Sequence, residues 1–175
     1  MSTLPVPPVE PQLPSPPRPS EIQRVAHARH QLCTPLNAIL GYSEMLLDDC
    51  ENTGQNDAAA TLHEIIRSGN GILDSINLLT NRSKSERQTD RRTIRDRAFS
   101  EIHAAREHIE QSVKRLRARE GIMDLFGGDV EAIESACVKL HEQTHNEEAR
   151  LWTIEQRMSS TPLSIPGAAV PEQKS

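Results

Sequence analysis

His30 is the residue with the most chemistry to offer. It is followed at once by Gln31, with Thr34 and Pro35 one turn further along. An imidazole can carry a proton or act as a nucleophile, whereas a glutamine can hydrogen-bond but cannot act as a base. Pro35 removes the N–H that would bond the carbonyl of Gln31, so a bend is expected just after the histidine. A second candidate is His141-Glu142-Gln143-Thr144-His145, which has the HExxH spacing of zinc peptidases and puts both histidines on one helical face. That chemistry also needs a third ligand, a shaped cleft and usually a strand to align the peptide. Glu147, Glu148 and Glu155 follow on the same helix, so the stretch reads as a solvated charged face; a zinc peptidase is set aside and no metal ligand is assigned. A di-iron carboxylate bundle needs two ExxH pairs, and only Glu142 to His145 provides one.

The elements that must position these residues are all helical. Ser20 suits an N-cap, and the apolar residues Ile22, Val25, Leu32, Leu36, Ile39 and Leu46 then recur at three- and four-residue steps. With the core direction through that stripe, His30 falls about 130° away and faces solvent. Thr34, Asn37 and Gly41 lie near it on the same small, polar face, where another protein could approach the ring. Turn chemistry over Asp48–Asp57 leads to a second helix with Leu62, Ile65, Ile72, Ile76 and Leu79 on one stripe, closing an antiparallel hairpin over residues 21–82. A polar connection, Asn81 to Asp90, precedes a second helical hairpin at 88–158. There Gly127 and Gly128 are expected to break the chain and Asp129 to cap the last helix. Each hairpin has one apolar stripe, so the first must meet another hairpin, from a second copy or from the C-terminal pair.

Composition narrows the classes. Aromatics are only 2%, so the core must come from Leu, Ile, Val and Ala, which suits helical bundles. Residues 1–20 hold eight of the 12 prolines and read as a disordered arm, and 159–175 read as a similar tail. No apolar run approaches the roughly 20 residues of a membrane span, and no secretory signal is visible. Three scattered cysteines, Cys33, Cys50 and Cys137, suit reduced thiols and a cytoplasmic location. A net charge of -5 without a concentrated basic face argues against nucleic acid as the partner.

The run from His30-Gln31-Leu32-Cys33-Thr34-Pro35-Leu36-Asn37 to Gly41-Tyr42-Ser43-Glu44-Met45-Leu46 closely resembles the phosphoacceptor box of sensor histidine kinases. Leu62, Ile65, Ser68, Gly69, Ile72, Leu73, Ile76 and Asn77 resemble that family's partner helix. The resemblance implies an all-α fold, an antiparallel hairpin dimerising into a four-helix bundle, here followed by the second hairpin. It implies that His30 exchanges a phosphoryl group with an aspartate on a response-regulator receiver domain. Gln31 and Thr34 would tune transfer and hydrolysis, and Asn37 and Gly41 would shape the docking face. Gln31 departs from the family's Asp or Glu. Nothing after Asn81 resembles the family's glycine-rich ATP-binding boxes, so no cofactor is assigned to this chain, and Mg²⁺ is expected on the receiver. The expected partners are a second copy, a receiver domain, and a histidine kinase acting in trans. A non-catalytic dimeric interaction module, binding a receiver or kinase through the same hairpin, is the alternative.

Overall fold

A computed structural model describes residues 21–80 and 88–159, with side chains over 23–79 and 92–153. The proline-rich arm, the connection at 81–87 and the tail from 160 lie outside the described residues. Four helices follow in order: α1 (Glu21–Asn52), α2 (Asn56–Thr80), α3 (Gln88–Arg117) and α4 (Ile122–Ser159). None of the described residues is strand, and among them no helix is long and apolar enough to cross a membrane.

α1 runs unbroken through Pro35 and past Asp48, further than the turn chemistry of its sequence suggests. Leu47 and Cys50 continue the buried stripe, and their burial outweighs the weak helix preference of the Asp-Asp-Cys-Glu-Asn end. The helix stops at Gly54, whose φ of 74° only glycine adopts without cost. The Gln55 N–H donates to the Cys50 carbonyl at 2.8 Å and the Gly54 N–H to Glu51 at 3.3 Å, closing a Schellman cap. Asp57 then sits in the first turn of α2, where its charge suits the helix dipole.

The reversal between α3 and α4 is not where the sequence placed it. The chain turns at Gly121, with φ of 78°, and α4 begins at Ile122. The expected break at Gly127 and Gly128 is only a kink at Phe126, with φ of -134°. Ile122 before the kink and Val130 after it are both fully buried. Two anchors in one core hold the chain on its helical course across the glycines. Lys114, Arg115 and Arg117 occupy the last turn of α3, opposite in sign to its carbonyl end.

Each helix packs on its sequence neighbours, and α4 also packs on α1, so the chain closes an up-down-up-down bundle. Buried residues repeat at three- and four-residue steps on every helix, as in Leu32, Leu36, Ile39, Ser43, Leu46 and Cys50 on α1. A fully buried Leu or Ile contributes roughly 1.5–3 kcal/mol relative to exposure. Among the described residues, the core's only aromatic rings are Phe99 and the partly buried Phe126, set among aliphatic and sulfur-bearing side chains. The apolar seam of the first hairpin is covered by α3 and α4 of the same chain, one of the two ways its stripe could be buried. Glu64 with Arg115, and Ser75 with Glu101 at 3.1 Å, add polar ties between α2 and α3.

Candidate phosphoacceptor site on the first hairpin

The α1 helix holds His30 outward because its neighbours in sequence point inward. Leu32 and Leu36 are buried to 1% and 0% exposure, while His30 and Thr34 are exposed and Gln31 is half-buried. Gly69 on α2 lets the two helices approach closely behind them. A Cβ there would lie 2.7 Å from Leu40 Cδ2 and 3.6 Å from Leu36 Cδ1. Among the described residues nothing hydrogen-bonds to the His30 ring, so its nitrogens are open to an incoming group. The Thr34 hydroxyl donates to the His30 carbonyl at 2.8 Å, leaving its oxygen lone pairs as acceptors. Pro35 is buried beneath, at the turn where its missing N–H frees the Gln31 carbonyl.

α4 runs antiparallel beside this face and makes the other wall of a groove of about 500 Å³. His30, Gln31 and Thr34 line one side; Ser135, Lys139 and Gln143 line the other. Among the described residues that line it, Lys139 alone carries a fixed charge and none is a carboxylate. Such a surface attracts a phosphoryl group rather than repelling it. One turn before His30, His27 Nε2 lies 3.9 Å from the Glu147 carboxylate of α4. Glu147 is nearly buried and also accepts from Arg150 at 2.7 Å, fixing α4 against the start of α1. Asn37 and Gly41 are not among the groove's lining residues: Asn37 is exposed, and Gly41 has open space where a Cβ would stand.

Of the residues singled out in sequence, His30, Gln31 and Thr34 come together, with Asn37 and Gly41 beside them on the outer surface. Lys139 and Gln143 were not legible as site residues. They are an ordinary i, i+4 polar pair on α4, and only the return of α4 to α1 brings them to His30. The HExxH histidines lie on a different side of α4, toward α3, where the His141 and His145 rings stack at 5.7 Å.

The comparisons with known proteins agree with this geometry. The His Kinase A (phospho-acceptor) domain family matches residues 20–88, which cover α1, α2 and the connection behind them. The first hairpin is thus similar to the phosphoacceptor domain used by histidine kinases in two-component signalling. Among curated proteins, the cell-division control histidine kinases PdhS of Brucella anthropi and Brucella ovis are each 41% identical to this chain over 63 residues. That stretch is 35% of this chain and 6% of theirs, so the match spans only a small part of those kinases. No solved structure matches the chain at comparable stringency.

Proposed function

We propose that the chain works in a two-component phosphorelay, exchanging a phosphoryl group between His30 and the aspartate of a response-regulator receiver, without itself drawing on ATP. The observation that carries this is the outward His30 ring on a phosphoacceptor hairpin, opening onto a groove whose fixed charge is Lys139. A neutral imidazole nitrogen attacks the phosphorus of the aspartyl phosphate. The P–N bond forms as the P–O bond to the aspartate breaks, and the carboxylate leaves. Mg²⁺ on the receiver neutralises the phosphoryl oxygens. Lys139 meets them from the groove side, and Gln143 offers an amide donor. Gln31 can accept a hydrogen bond from the ring but cannot take its proton, so that proton leaves to water. Thr34 lies one turn along, where its oxygen can hold the water that hydrolyses the phosphoryl group. Asn37 and Gly41, uncrowded beside the groove, form the docking rim. A histidine kinase acting in trans is a second source of the phosphoryl group.

Pairing of two copies is part of the same proposal. Because α3 and α4 cover the seam of the first hairpin, two copies pair by another surface or by exchanging their second hairpins.

The test is to incubate the full chain with a phosphorylated receiver and Mg²⁺, and to follow acid-labile phosphate on the chain. The expected result is label that His30→Ala abolishes and that Lys139→Ala slows by about tenfold, the worth of one charge-assisted contact. Gln31, which cannot act as a base, is equally compatible with the alternative, a non-catalytic module. Receiver binding that survives His30→Ala, with no label from any receiver or kinase of the same cell, would establish that alternative instead.

A further inference from the structure

We propose that His103, His145 and Glu148 form a binding site for one divalent transition cation of the zinc class, joining α3 to α4. The HExxH spacing alone supplied two histidines and no third ligand beyond its own helix. The fold supplies it from the neighbouring helix. His103 Nε2 is 2.8 Å from Glu148 Oε2, and one ligand atom from each of the three residues lies within 4.8 Å of the others. The His103 and His145 rings meet edge to face at 6.0 Å.

Two imidazoles and one carboxylate are the donor set of zinc sites that keep a solvent position open. At metal–ligand distances of 2.0–2.1 Å, tetrahedral donors stand about 3.3 Å apart. The side chains therefore need to move by about an ångström, through their own torsions, with the helices held by the core below. The His103 and Glu148 side chains are 32% and 42% exposed, open enough for a hydrated ion to enter and dehydrate. His141, the other histidine of the motif, is turned to a different task. Its Nδ1 lies 2.5 Å from Arg106 Nη1, and Arg106 is also bonded to Glu110. A guanidinium at that nitrogen excludes a cation there. The site therefore uses only the second histidine of HExxH, with a glutamate three residues on and a histidine from α3.

On α4, Glu148 and Lys139 are separated by about 180° around the helix axis, so the ion sits on the side away from His30. A bound ion stiffens the α3–α4 seam without touching the phosphoacceptor groove, and the proposal stands independently of the phosphotransfer reading.

Titration calorimetry with Zn²⁺, and the visible spectrum with Co²⁺, on the full chain test this. The expected result is one saturable equivalent, a four-coordinate Co²⁺ spectrum and a rise in Tm with metal. His103→Ala and Glu148→Gln should each weaken binding by about tenfold or more while helicity by circular dichroism is kept. His63→Ala, an exposed histidine on α2, should leave affinity unchanged. Absence of saturable binding at concentrations on the order of 100 µM overturns the proposal. So does His103→Ala binding as tightly as the parent, which would mean that the α4 histidines hold the ion alone.

Discussion

Two glycines of α2, Gly69 and Gly71, offer a test of how closely the hairpin is built behind His30. In a helix interior, Gly→Ala gains about 0.8–1.0 kcal/mol from reduced backbone entropy, and this gain is common to both sites. At Gly71 nothing lies within 4 Å of the added Cβ, so Gly71→Ala should show the whole gain. At Gly69 the Cβ meets Leu40 Cδ2 at 2.7 Å and Leu40 Cγ at 3.3 Å. Leu40 is only 9% exposed, so its methyl must turn into occupied space or α1 must move off α2. Overpacking of that kind costs about 1–3 kcal/mol, leaving Gly69→Ala between neutral and about 2 kcal/mol destabilising. The difference between the variants should therefore be about 1–3 kcal/mol. Each kcal/mol corresponds to about 3–5 °C in Tm for a domain of this size. Urea and thermal unfolding followed by circular dichroism read both quantities. If Gly69→Ala stabilises as much as Gly71→Ala, the close seating of α1 on α2 behind His30 is wrong.

Two further outcomes follow from charge and burial. Burial first, then the Glu110 and Glu134 charges, push the Cys137 thiol up to about 12, and burial with Asp49 raises Cys50 above 9.0. At pH 8 the thiolate fraction of Cys137 is on the order of 10⁻⁴. A disulfide reagent should therefore modify the half-buried Cys33 first and Cys137 only as the bundle unfolds; rapid labelling of Cys137 in the folded chain would contradict its placement in the core. On the acid side, the hydrogen bond from Arg97, then that from Ser75, holds the Glu101 carboxyl below its usual 4.5. The bond from Arg115 does the same first for Glu64. Carboxyls lowered by folding contribute stability that is complete above their unfolded values and is lost as pH falls through the folded ones. The urea midpoint should therefore drop as pH is taken below about 4.5, and Glu101→Gln should flatten that drop. A midpoint that is constant down to pH 3, or an unaltered slope in the variant, would show that these ties are broken in solution.

Much of the phosphoacceptor hairpin is written in local order. The three- and four-residue recurrence of Leu32, Leu36 and Ile39 makes α1 amphipathic wherever it packs, and His30 is outward because its own neighbours are inward. The string around His30 carries the family resemblance for the same reason, since each residue's role depends on its turn of helix. Element ends were less legible. Asp48 to Asn52 look like a turn but are drawn into α1 by buried Cys50, and Gly127 and Gly128 look like a break but are bridged by Ile122 and Val130. Periodicity also could not choose which hairpin would cover the first one, because an apolar stripe has the same pattern whatever it meets. That choice was made when α3 and α4 folded back, and it brought Lys139 to His30 and His103 to His145. Contacts between residues more than a hundred positions apart, or across two helices, depend on the packing of whole faces, which no local spacing encodes.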